Sequence, residues 1–179
     1  MKAQFNQGDL SGWKLTLNNG TWDQSTGPAR PKADPPTFSF PNIGPSGEVG
    51  LSAHPGKYWN PPQLPYMPVG QTTGNQYQLE KSIVGSKGGT ATLKARCAAL
   101  SYQFISIYIT KKVNGVDECS VAGKAWNAPF PGTKAQPFTN WSDISFVVPA
   151  GDCTITIYLN SDANRQGTSV DIVNFQLPE

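Results

Sequence analysis

A hydrolase or transferase needs a nucleophile or base beside a partner that tunes it, and few residues in this chain could supply such a pair. His54 is the single histidine. It precedes Pro55 in a loop and reads as an exposed polar residue rather than a base. Glu48 and Glu80 could be assembled into the carboxylate pair of a glycoside hydrolase. Each sits in an alternating strand pattern, however, where an outward-facing charge is the simpler assignment. Gly44–Glu48 (GPSGE) has the wrong spacing for a nucleophile elbow. Gly85–Thr90 (GSKGGT) lacks the lysine followed by serine or threonine of a phosphate loop, and reads as a turn. Cys97, Cys119 and Cys153 are far apart and form no C-x-x-C knuckle, so zinc is not expected. Three cysteines allow at most one disulfide, and three buried thiols in a reducing compartment are the plain reading. The chain is expected to be non-catalytic.

The residues left to carry function are aromatic. Lys57–Pro68 (KYWNPPQLPYMP) holds four prolines, two tyrosines, a tryptophan and a methionine. That proline spacing excludes a helix or central strand, yet the stretch carries more aromatic surface than a free loop normally leaves in water. Tyr58, Trp59 and Tyr66, with Trp126 and Asn127 of the second aromatic–proline loop Lys124–Gly132, could stack on the faces of sugar rings. Trp59, Tyr66 and Met67 on a rigid extended backbone suit a subunit contact equally well. A third reading folds one or both loops down as a cap on the chain's own domain. Subunit contact is the first choice, because a sugar site needs more hydrogen-bonding side chains than this stretch provides.

The elements that must position these loops are strands. The chain has 179 residues, 37% apolar and 15% charged, with a net charge of +2, which suits one all-β domain spanning 1–179. Scattered lysines and arginines exclude a nucleic-acid footprint, and no apolar run is long enough to span a bilayer as a helix. Alternation marks strands at Trp13–Leu17, Thr37–Phe40, Glu48–Ala53, Tyr77–Val84, Thr90–Cys97, Asp143–Val148, Cys153–Leu159 and Ser169–Leu177. Tyr102–Val113, Asn114-Gly115 and Val116–Val121 read as a hairpin, since Asn-Gly supplies the two positive φ angles of a type I′ turn. Pro149–Asp152 (PAGD) reads as a second hairpin turn. Nine or ten strands with short turns mean a sandwich or barrel, with Leu93, Phe104, Ile155, Ile157 and Val173 expected in its core. Proline-rich loops at 23–36 and 54–74 interrupt the pattern.

Both ends of the chain resemble carbohydrate-binding modules of the jelly-roll, galactose-binding-like fold. The resemblance rests on Phe5–Leu15 (FNQGDLSGWKL), on Trp141 opening a strand, on Pro149–Asp152, and on Val170–Phe175 (VDIVNF). It implies an antiparallel jelly-roll β-sandwich. In strict alternation Asp171 would share a strand face with Val173 and Phe175, an expensive place for a lone carboxylate, so a compensating group is expected. The resemblance implies a structural calcium there, with Asn6, Gln7 and Asp9 as further ligands; bonding to backbone amides or a lysine is the alternative. A chain that starts at Met1 with no leader is expected to stay in the producing cell, leave by lysis, or be cut from a secreted precursor. Together with the fold, this suggests a non-catalytic accessory protein of a tailed-phage virion (capsid decoration, head or tail fibre), working as a trimer through contacts with other virion subunits. The alternative is a secreted carbohydrate-binding module that takes a surface polysaccharide.

Overall fold

The computed structural model of the protein describes residues 2–10, 12–18, 37–54, 76–97, 102–127, 138–161 and 170–179. Among these the strands are β1 (Lys2–Gln4), β2 (Lys14–Asn18), β3 (Thr37–Ser39), β4 (Leu51–His54), β5 (Gln76–Cys97), β6 (Tyr102–Val113), β7 (Val116–Asn127), β8 (Ser142–Ser161) and β9 (Val170–Leu177). All pairings are antiparallel. The protein is an antiparallel β-sandwich of jelly-roll type.

Two strands are long because each serves both layers. The first half of β5 pairs with β2 on one side and with the second half of β8 on the other, and β8 passes the layer on to β6 and β7. The second half of β5 lies between β9 and the first half of β8, and β9 carries β1 and β4 along its far edge. The chain changes layer where the β5–β8 register shifts, between Ile83 and Ser86.

Here two expected turns are corrected. Gly85–Thr90 and Pro149–Asp152 do not separate strands; they lie inside β5 and β8 and face each other, Ser86 opposite Gly151 and Lys87 opposite Ala150. Their glycines and proline bend a continuous pair instead of reversing it. Gly88 shows why glycine is needed: its φ is +78°, and a Cβ there would stand 3.1 Å from the Ala150 nitrogen. Asn114-Gly115 behaves as expected, with φ of +52° and +81° and Val113 opposite Val116.

One apolar core fills the sandwich. Leu79, Leu93, Ile105, Ile107, Ile155, Ile157, Leu159, Ile172 and Phe175 are at most 2% exposed. Leu93, Ile155 and Ile157 fall where alternation puts them. The side chain of Phe104 lies outside the described residues; on β6 it is Ile105, Ile107 and Ile109 that face inward. On β9 the alternation breaks. The register with β5 shifts between Thr92 and Lys94, where Asn174 takes a φ of +53°. That bulge lets Val170 and Ile172 face the core before it, and Phe175 and Leu177 after it. Val173 is buried but stands outside this core, under Ile43 and Gly50; a side chain at Gly50 would overlap it.

Not all three cysteines are buried. Cys97 and Cys153 are core residues, whereas Cys119 on β7 is exposed, and none is paired. Burial is the main cause that pushes the Cys97 thiol up to about 11 and also raises that of Cys153. In the folded protein at pH 8 a thiol reagent should therefore modify Cys119 alone, and all three cysteines in denaturant; rapid native labelling of Cys97 would contradict this packing. At the bend, Gly88→Val should cost about 1–3 kcal/mol in urea unfolding, because a β-branched side chain resists positive φ. An unchanged midpoint would show that the bend does not need glycine.

Candidate functional site

The outer face of the β2–β5–β8–β6–β7 layer combines aromatic and polar side chains on adjacent strands. Strand register aligns Lys14, Glu80, Thr156, Tyr108 and Val121 in one line across the sheet. The neighbouring line is Thr16, Gln78, Tyr158, Ser106 and Gly123. Both lines exist because the intervening residues (Leu79, Ile155, Ile157, Ile105, Ile107) turn inward, and successive strand side chains point to opposite faces.

Tyr108 and Tyr158 stand diagonally on β6 and β8, ring centroids 5.4 Å apart and planes at 83°. This edge-to-face pair holds both rings in place. Tyr108 is 37% exposed, so part of its ring faces water. Thr156 between Tyr108 and Glu80 is nearly buried, at 9%. Gly123, opposite Ser106, leaves that side of the strip open, and a Cβ there would overlap the Ile105 carbonyl oxygen. Rings, hydroxyls, an amide and a carboxylate thus converge on a surface built from rigid strands. Such a surface can stack on a sugar ring and bond to its hydroxyls. Sequence reading passed over the two tyrosines; the available signal was a tyrosine on the polar phase of an alternating strand.

Of the residues singled out in the sequence, Glu80 alone is described within this strip. Tyr58, Trp59, Tyr66 and Met67 lie outside the described residues, as do the proline-rich loop at 23–36 and all of the loop at 54–74 except His54. Trp126 and Asn127 end β7, paired through their backbones with Gln103 and Tyr102; their side chains are not among those described. His54 ends β4 opposite Thr37. The two glutamates are kept apart by the fold. Glu80 belongs to the tyrosine strip, while Glu48 closes the Gly44–Glu48 turn, accepting from the Ser46 amide at 2.8 Å and the Asn174 side chain at 3.2 Å. Its own backbone, the Ser46 amide and Asn174 hold its carboxyl below the usual range.

Asp171 is 1% exposed and does have a compensating group, which is an arginine. Arg96, opposite it on β5, donates Nε to Oδ2 at 2.9 Å. The guanidinium lies over the Phe138 ring at 4.2 Å and the Trp141 ring at 4.5 Å. Because of the β9 bulge, Phe175 does not share the face of Asp171. Asp171 Oδ1 has no hydrogen-bond partner among the described residues. Asn6, Gln7 and Asp9 are exposed in the turn between β1 and β2. A calcium ion takes six to eight oxygens, several of them anionic. No group of three or more histidine, cysteine, aspartate or glutamate side chains stands together among the described residues. The donor set around Asp171 is a poor match for calcium, since its carboxylate already faces a guanidinium.

No protein-family model matches the chain, and no curated protein does. Solved structures do match in shape. A cleaved adhesin domain of the Lys-gingipain of Porphyromonas gingivalis w83 superposes with a TM-score of 0.54 at 14% identity, covering 97% of this chain and 98% of that one. A carbohydrate-binding module of the β-sandwich superfamily gives 0.51 at 14% identity over 99% of this chain. The protein spans 61% of the length of that module's chain. TmCBM61, solved in complex with β-1,4-galactotriose, gives 0.50 at 12% identity, covering 98% and 94%. At such identities the likeness carries the fold and nothing finer: the chain shares the antiparallel β-sandwich of these structures.

Proposed function

We propose that this protein is a non-catalytic carbohydrate-binding module that holds a polysaccharide across the outer face of its β2–β5–β8–β6–β7 layer. The observation that carries the reading is the Tyr108–Tyr158 pair set among Gln78, Glu80, Ser106 and Thr156 on neighbouring strands. The exposed part of the Tyr108 ring stacks on a sugar face, and the amide, carboxylate and hydroxyls bond its edge. Five strands span roughly 19 Å at their usual spacing, room for a short run of sugar units lying across them. Strands rather than loops carry these groups, so little entropy is lost on binding. The first expectation, a virion accessory protein with its trimer and capsid partners, gains no support from the structural neighbours, and the stretch expected to make its contacts, Lys57–Pro68, lies outside the described residues.

In the same reading no metal acts, and Arg96 supplies the positive charge at Asp171. Arg96→Met should lower stability by about 3 kcal/mol or more, since it leaves a buried carboxylate uncompensated, while EDTA leaves the melting temperature of the wild type unchanged. A drop on EDTA that calcium restores would overturn this assignment. For the site itself, a glycan array followed by calorimetry should find a polysaccharide ligand. Tyr108→Ala and Tyr158→Ala should each weaken it at least tenfold, about 1.4 kcal/mol, with folding intact. Full affinity in both variants, or hydrolysis of the bound glycan, would sink the proposal.

A further inference from the structure

β7 closes one end of its layer, and among the described residues only β6 pairs with it. Its twelve residues contain no proline, so its outer edge presents a row of backbone donors and acceptors. Its faces are thinly covered as well. Every residue from Val116 to Val121 is exposed, with Val116 at 66% and Val121 at 65%. Soluble proteins usually protect such an edge, and the charges on this one identify what fits it.

The geometry points to a second copy of this chain, bound edge to edge through β7 with the strands antiparallel and the two-fold axis passing at Val121. In that register Val121 meets its own copy, Glu118 faces the partner subunit's Lys124, and Lys124 faces the partner subunit's Glu118. Cys119 falls opposite Gly123, and Ser120 opposite Ala122, so the pairs next to the axis are small; at the strand's end Val116 falls opposite Trp126. Sliding the copies by two residues either way separates both charge pairs, and parallel pairing sets like charges against each other. Glu118 and Lys124 are exposed, and neither has a salt-bridge partner among the described residues. Lys111, opposite Glu118 on β6, donates instead to the Ala150 carbonyl at 2.7 Å. Asp117, the other acid of the strand, is paired with Lys112 at 3.0 Å.

The dimer joins the two layers into one sheet. Because Tyr108 lies opposite Val121, the line of side chains through Glu80, Thr156 and Tyr108 continues across the axis into its copy. Three strand spacings, about 14 Å, then separate the two tyrosines on one face. Use of this doubled strip by a polysaccharide rests on the function proposed above; the dimer itself does not. Edge pairing of one strand buries less than the roughly 1,200 Å² of a tight complex, so association is concentration-dependent.

Light scattering and sedimentation of the full chain under reducing conditions, between about 10 and 500 µM and without glycan, provide the test. The wild type should pass from monomer to dimer. E118K and K124E should each weaken the dimer tenfold or more, with circular dichroism and melting temperature unchanged. Mixing the two variants in equal amounts should restore dimers, because each reversed residue then meets an opposite charge; the double variant E118K/K124E should dimerise alone. A wild type monomeric throughout, a dimer indifferent to both reversals, or a failure of the mixture to recover would each overturn the proposal. A monomer that binds glycan refutes the dimer alone, and a dimer blind to glycans refutes only the function.

Discussion

The fold depends on the pairing of β5 with β8. Along its length the pair contributes Leu79, Ala91, Leu93, Ala95, Ile144, Phe146, Val148, Ile155, Ile157 and Leu159 to the core. Among the described residues it is the only ladder that runs through both layers, so it fixes how far apart and in what rotation they sit. The other described strands are added to its edges: β2, β6 and β7 beyond one half, β9 with β1, β4 and β3 beyond the other. The pair joins segments as distant as Gln76 and Asn160, so loop-closure entropy must be overcome before any layer is complete, and slow folding follows from that topology. The glycines of the bend are tied to the same requirement, since a pair that serves two layers must turn without losing register.

The ends of the chain are locked to this frame by different means. At the N-terminal side, Phe5, Trp13 and Phe175 pack with ring centroids 5.6–6.0 Å apart, and Phe146 joins through Phe175. Phe5 takes a φ of +63° to enter this cluster while only 1% exposed. A bulky residue adopts that conformation only where burial offsets its cost. At the other end, Asp171 alternates away from the core face of Val170 and Ile172 and bonds to Arg96, and the bulge at Asn174 then brings Phe175 back to that face. Without the shift at Asn174, either Phe175 or Ile172 would leave the core.

The strand content, the Asn-Gly hairpin and most of the inward residues were legible in the sequence, because period-two alternation encodes half-buried strands directly. What misled was punctuation. Gly85–Thr90 and Pro149–Asp152 have turn composition, but the same residues serve a bend within a paired strand, and only knowledge of the partner strand separates the two. The face of Phe175 was misjudged for a related reason, since the single bulge residue Asn174 inverts all that follows it. The aromatic strip was hidden more deeply. Tyr108 and Tyr158 are 50 residues apart in sequence, and each alone looks like an ordinary strand tyrosine. Their meeting is a product of β6–β8 register, which no local pattern reports. In the sequence, aromatic residues are more conspicuous in the proline-rich stretch Lys57–Pro68.

A sheet face composed this way has a physical meaning of its own. Removing Tyr108 and Tyr158 from solvent completely would require another layer over β6 and β8, and among the described residues none lies there. Leaving such rings half open costs solubility unless the surrounding groups are polar, and here they are: Gln78, Glu80, Ser106 and Thr156 surround the pair. A purely structural face would not need ring and hydroxyl groups in register, because β-branched threonines and charged residues satisfy an outer strand face equally well. A recognition face needs both, at fixed spacing and on strands held rigid by the core beneath. The continuous isoleucine packing under the strip, from Ile105 to Ile109 and Ile155 to Ile157, gives the tyrosines that rigidity. The same strands that build the core therefore determine the spacing of the rings and polar groups on the outer surface.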